Sequence, residues 1–188
     1  TKASASEIPT GRELVKTLQQ GHPDLVEKAE TLAADKGLDD TKLHCQLWDD
    51  CGIKPVIDIR DMWKDGEPTR RVSKLSNVVY DHRGTVYCHC PATGKRHEMA
   101  YGGFEKDRQA LKYRCPAAHY GIECKGRKRC PVRKAVRIPL AEDRRVFTPL
   151  ARSSHSWKRH YKRRTSVERV NSRLDVSFGF EQHFIRGL

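Results

Sequence analysis

The chain has 188 residues, of which 37 are Lys or Arg and 24 Asp or Glu, giving a formal charge of +13. This length, with 37% hydrophobic residues, suits one domain, or one domain with a smaller insert, built on a thin core. No apolar run of about 18 residues occurs, which excludes a membrane-spanning helix, and seven cysteines without a secretory signal favour reduced thiols or metal binding over a disulfide framework.

Charge is unevenly spread. Residues 1–70 hold ten Lys and Arg against fourteen Asp and Glu; residues 71–188 hold twenty-seven against ten. A basic half of this density points to a polyanion such as nucleic acid. The chain opens on Thr1 rather than Met and has the aspect of a segment of something longer.

Thr10-Gly-Arg-Glu13 reads as a capping box that starts a helix over 11–20, with Leu14, Val15 and Leu18 on one face and Gly21 as its stop. A further turn or two follows Pro23. Thr31-Leu-Ala-Ala34 is short and uncharged, the pattern of a buried strand that presents Asp35 at its carboxyl end. Asp39 or Asp40 caps a second helix over 41–50, which carries Leu43, Leu47 and Trp48 inward and ends at Cys51-Gly52. Residues 53–59 form a second strand, with Pro55 near its start where a missing N–H costs least. Strand, helix and strand make a parallel β-α-β unit. In such sheets sites form beyond the carboxyl ends of the strands, where Asp35 is expected.

From about 62 to 146 the texture changes to polar turns, β-prone pairs and cysteines, and an insert with a short β-hairpin and loops is expected. Gly84 marks the hairpin turn. Cys90, Cys115, Cys124 and Cys130 are the preferred set for a structural Zn²⁺, with Cys88 or His119 as substitutes. The only close pair is Cys88-x-Cys90, which departs from the usual knuckle spacing; the plain alternative is free thiols packed as small hydrophobes. Cys45 and Cys51 flank the Trp48 helix and read as core.

After 147 the chain enters a helix with Ser154 as its cap; a second capping box at Thr165-Ser-Val-Glu168 would start it later, and the longer helix is preferred. Tyr161, Arg164, Glu168, Asn171 and Asp175 form one stripe at helical spacing, and Val167, Val170 and Leu174 form an apolar stripe that can pack on a sheet. Glu168 projects among cations as a candidate metal ligand, or it merely pairs with Arg164 at i, i+4. Lys125, Arg127, Lys128 and Arg129, with Lys158, Arg159, Lys162 and Arg163, are candidate DNA-phosphate contacts. Trp157, His160 and Tyr161 are interleaved with the last run; Trp157 reads better as core. Phe178-Gly-Phe180 and Phe184-Ile185 read as a loop expected to continue into further sequence.

Tyr161, Arg164 and Glu168, with two and three residues between them, resemble the Tyr-Arg-Glu signature of insertion-sequence DDE transposases. Ala34-Asp35-Lys36-Gly37-Leu38-Asp39 is similar to the segment that carries the second catalytic Asp in those enzymes. The resemblance implies an α/β, RNase H-like fold whose mixed sheet lacks its first strands, interrupted by the candidate zinc-binding insert. It implies Asp35 and Glu168 as catalytic ligands of a two-ion Mg²⁺ or Mn²⁺ site, with Arg164 neutralising phosphate charge and Tyr161 bonding a phosphate oxygen or packing near the cleaved strand. It further implies double-stranded DNA as substrate, a homodimer in the active complex, and a bacterial cytoplasmic, nucleoid-associated setting.

Two departures stand out. Asp175 replaces the Lys that closes the signature, and the strands that carry the family's first catalytic Asp have no counterpart before the first helix. Asp24 lies in a polar, helix-like stretch and does not replace it. The chain is therefore expected to be inactive alone. Two other readings remain: a non-catalytic, zinc-stabilised nucleic-acid-binding protein or transposase remnant, and another RNase H-like nuclease.

Overall fold

A computed structural model describes residues 7–73, 75 and 77–178. The first unit runs α1 (Glu7–Gly21), α2 (Pro23–Lys28), β1 (Thr31–Ala34), a 3-10 turn over Lys36–Leu38, α3 (Thr41–Cys45) continued by a π-helical turn Gln46–Asp50, and β2 (Lys54–Ile57). β1 and β2 pair in parallel, Thr31 opposite Lys54 and Ala34 opposite Ile57. The strand-helix-strand unit thus forms as the sequence implies.

Local chemistry explains its ends. The Asp40 carboxylate accepts the Leu43 N–H at 3.0 Å and caps α3, so of the two candidate caps Asp40 takes the role. Gly52, at φ +69°, closes the following turn with a left-handed conformation. Val15, Ala34, Leu43, Leu47, Ile53 and Ile57 pack as the core of this unit. One expectation fails. α1 begins at Glu7, so Thr10 and Glu13 lie inside the helix and do not cap it.

The insert is more substantial than a hairpin with loops. β3 (Arg70–Arg71), β4 (Val78–Tyr80), β5 (Val86–His89) and β6 (Arg96–Glu98) form an antiparallel sheet in that order. β7 (Ala100–Glu105), β8 (Ala110–Arg114) and β9 (Ala135–Pro139) form a second antiparallel sheet, with the single turn α4 (Pro116–His119) between β8 and β9. Val78, Val86, Leu111, Tyr113, Ile138 and Phe147 belong to the larger of two core clusters, which lies here rather than in the β-α-β unit. β4, β5, β8 and β9 contribute two or three buried apolar residues each and β3, β6 and β7 none, and the charged residues between them hide the core in the sequence. The Gly84 turn is as expected: Gly84 has φ +83°, and the Asp81 carboxylate accepts the N–H groups of Arg83 and Thr85.

The last helix is broken in two, α5 (His155–Lys162) and α6 (Arg164–Phe178), at Arg163. Ser154 caps α5 by accepting the Trp157 N–H at 3.1 Å. Thr165 caps nothing; its hydroxyl donates back to the Lys162 carbonyl. α5 packs across β1 and β2. α6 does not pack on a sheet: Val167 and Val170 are 62% and 55% exposed and Leu174 is 38% exposed. Residues 179–188, with most of the loop expected there, lie outside the described residues; Phe178 is the last residue of α6.

Candidate functional site

Asp35 stands at the carboxyl end of β1, solvent-exposed, where its Oδ1 accepts the Gly37 N–H at 2.8 Å. No other partner holds it among the described residues. β2 ends beside it, since the Asp58 N–H bonds to the Ala34 carbonyl. Two carboxylates, Asp35 and Asp58, therefore follow directly on adjacent parallel strands.

α5 runs antiparallel to those strands. Near its start, Trp157 and Lys158 share a cleft with Asp58 and Ile59, just past β2. Near its end, His160 Nδ1 lies 3.5 Å from Thr31 Oγ1, at the beginning of β1. α6 consequently departs from the amino end of the strands. A four-residue strand spans roughly 13 Å, which is the span of β1 between the His160 contact at Thr31 and Asp35. Glu168 is exposed and paired with Arg164, and no described contact joins it to Asp35. The i, i+4 pair of the plain reading is thus present in this arrangement.

Around this helix the aromatic and basic residues are ordered. Tyr161 stacks on Trp157 with centroids 4.8 Å apart and planes 12° apart. The Arg164 guanidinium lies 5.5 Å from the Tyr161 ring centre. Trp157 is buried, in keeping with its core reading, while Lys158, Arg159, Lys162 and Arg163 face solvent. Lys125, Arg127, Lys128 and Arg129 are likewise exposed. None of these eight cations has a carboxylate partner within ion-pair distance among the described residues.

The thiols form a second locality. Cys88, Cys90, Cys115, Cys124 and Cys130 line one small cavity of about 20 Å³, together with His89 and His97. His119 does not line it, and its ring packs against Tyr120. All seven cysteines are free. Cys90 Sγ accepts the Gly126 N–H at 3.3 Å, and Cys130 Sγ accepts from Asn77 Nδ2 at 3.2 Å. Bonds from the Thr93 side chain and the Ala92 amide bring the Cys90 thiol down to about 6. Burial, reinforced by Cys115, Cys130 and Cys124, pushes Cys88 up to about 11. As the side chains lie, no three metal-capable groups among the described residues are arranged around an ion. Of the two flanking cysteines read as core, Cys51 is partly buried against the smaller core and Cys45 Sγ meets Arg144 Nε at 3.4 Å.

A buried charged network went unread in the sequence. Asp39 is 2% exposed and accepts the Arg60 N–H at 2.8 Å and Arg145 Nη1 at 2.7 Å. Arg152, also buried, donates to the carbonyls of Ile57, Arg145 and Val146. His44 is 1% exposed, its Nε2 3.4 Å from Asp39 Oδ1 in a geometry that makes no hydrogen bond. Burial pushes the Asp39 carboxyl up, but His44, the Arg60 amide and Arg145 outweigh it and leave it below 3.8. Burial, with Arg152 and Arg145 nearby, holds His44 below 6.5 despite Asp39. Nothing local in the sequence marks these residues, since Asp39 and Arg145 are 106 positions apart. Compared with protein-family models, curated proteins and solved structures, the chain matches none.

Proposed function

We propose that this chain is part of a DDE-type transposase with an RNase H-like α/β body, in which Asp35 and Glu168 are two of the carboxylates that hold divalent cations against DNA. The observation that carries the reading is the placement of Asp35. It is exposed at the carboxyl end of a parallel strand, with Asp58 ending the neighbouring strand and a basic helix crossing both. That is where open α/β sheets build their sites.

Carboxylate oxygens suit Mg²⁺ or Mn²⁺. When bound, a pair of such ions lowers the pKa of a water or 3′-hydroxyl and stabilises the leaving oxygen of the phosphodiester. The chain's own contribution is positional. Asp35 is fixed by its bond to Gly37, with one oxygen left for an ion. Arg164 offers a fork of donors to phosphate once it leaves Glu168. Lys158, Arg159, Lys162 and Arg163 neutralise phosphate along the bound duplex.

Sharing ions with Asp35 requires Glu168 to move, and α6 has the means. The helix is interrupted at Arg163, and the uncovered Val167, Val170 and Leu174 stripe leaves α6 without a fixed seat among the described residues. Docking of that stripe, with DNA between the basic surfaces, brings Glu168 to the strand ends.

The test is Fe²⁺-directed cleavage of the polypeptide. Fe²⁺ replaces Mg²⁺ at oxygen sites and, with ascorbate and peroxide, cuts the backbone beside its ligands. In the presence of a mixed-sequence DNA duplex, cuts are expected beside both Asp35 and Glu168, competed by Mg²⁺ and lost at both positions in Asp35→Asn. Cuts beside one residue alone, or at neither, leave a polyanion-binding protein without a shared ion site.

A further inference from the structure

The thiol cavity combines residues from three separate segments. Cys90 follows β5 at the turn into β6, Cys115 follows β8 at the entry to α4, and Cys124 and Cys130 bracket the loop over 124–130. These segments are pressed together with no room to spare. A Cβ added to Gly126 would lie 2.7 Å from Pro91 Cδ, 2.9 Å from the Ala92 nitrogen and 3.0 Å from Cys90 Sγ. The loop thus meets the turn backbone to backbone, at a position only glycine fits. The same contact delivers the Gly126 N–H to Cys90 Sγ.

Hydrogen bonds from N–H groups to sulfur stabilise thiolate over thiol, the form that binds metal. Cys90 receives one from Gly126 and Cys130 one from Asn77. Cys124 hydrogen-bonds to Cys90. Cys88 differs in place: it sits inside β5, paired with Val78 on one side and His97 on the other, whereas Cys90, Cys115, Cys124 and Cys130 lie just past strand ends or in the loop. Five thiols are therefore not equivalent, and four suffice for a tetrahedron.

We propose that Cys90, Cys115, Cys124 and Cys130 form a structural zinc site that clamps the 124–130 loop against the β5–β6 turn, with Cys88 as an uncoordinated apolar wall. A set of four soft sulfur ligands selects Zn²⁺ among the divalent ions that keep one oxidation state. The sulfurs close inward on the cavity, each to about 2.3 Å from the ion, and each thiol that binds releases its proton to solvent. The clamped loop carries exposed Lys125, Arg127, Lys128 and Arg129, so the ion holds a cationic finger in one shape. That the finger meets DNA rests on the function proposed above; the metal site does not.

The full chain, purified without chelator from zinc-supplemented cells, is expected to hold about one equivalent of zinc. Cys88→Ala keeps it, whereas Cys90→Ala and Cys124→Ala lose most of it. Should those two variants fail to fold, the unaltered chain still decides: stripped and titrated with Co²⁺, it should develop thiolate charge-transfer and intense tetrahedral ligand-field bands that saturate at one equivalent and vanish on adding Zn²⁺. Trypsin should cut after Lys125 and Arg127–Arg129 at least about tenfold more slowly with zinc bound than without. Less than about half an equivalent of zinc together with no cobalt bands overturns the site, as does iron in zinc's place. Zinc retained in Cys90→Ala but lost in Cys88→Ala overturns the ligand set.

Discussion

Replacing Asp39 by Asn should be among the most damaging single changes in this chain. The carboxylate has no exposed surface and Arg145 is 10% exposed, so neither charge has water to fall back on. The Arg60 N–H and Arg145 Nη1 both donate to Oδ2, so an amide oxygen in that place can still accept them, but the change leaves a guanidinium buried without its counter-charge. Removing one partner of such a pair costs about 3–5 kcal/mol, against a total stability of about 5–15 kcal/mol for a domain. At about 2–4 °C per kcal/mol for a chain of this size, the midpoint should fall by roughly 6–20 °C. Urea and thermal unfolding followed by tryptophan fluorescence measure both. The coupling is specific to the pair: Asp39→Asn with Arg145→Met should cost at least about 1.5 kcal/mol less than the two changes summed. A loss below about 1 kcal/mol for Asp39→Asn, or simple additivity in the double variant, would refute the reasoning.

The same network makes stability depend on acid. The folded value of His44 lies below 6.5, so as pH falls past 6.5 the unfolded chain gains a proton that the folded chain refuses, and stability is lost until the folded value is passed. Asp39 acts lower: its contribution is full above 3.8 and disappears as pH falls through its depressed folded value. His44→Asn should flatten the loss below pH 6.5 by up to about 1.4 kcal/mol per pH unit, measured by urea titrations at several pH values. Changing Lys125, Arg127, Lys128 and Arg129 together to Gln should reduce the slope of log K against log salt for duplex DNA by about 3–4, with little dependence on sequence; an unchanged slope removes this loop from the interface. Val170→Asp should change the stability of the chain by less than about 0.5 kcal/mol, because its side chain meets solvent; a loss of 2 kcal/mol or more by chemical denaturation would mean that α6 is docked.

The parallel unit was legible because its signals are local. Uncharged Thr31–Ala34, the Asp40 cap and the Gly52 turn each act within a few residues, and each does what its chemistry implies. The larger core was not, because its contacts join strands far apart: Tyr113 reaches the Gly84 carbonyl, and Trp48 donates to Gln109 across 61 positions. Periodicity placed Val167, Val170 and Leu174 on one face of a helix but could not say what covers that face. Spacing likewise put Glu168 four residues from Arg164, which fits a catalytic stripe and a surface ion pair equally, and the pair is what the described arrangement contains. The cysteine group was visible as composition. Its geometry came from Gly126 and Asn77, neither of which is a ligand, so spacing alone gave no hint of either.

Crystals of the chain bound to a DNA duplex and soaked in Mn²⁺ test the central claim most directly, through the anomalous signal of the ion. The account predicts a peak about 2.0–2.3 Å from a carboxylate oxygen of Asp35 and from one of Glu168 at once. A manganese ion held by either residue without the other, or none at the end of β1 with DNA in place, would contradict it.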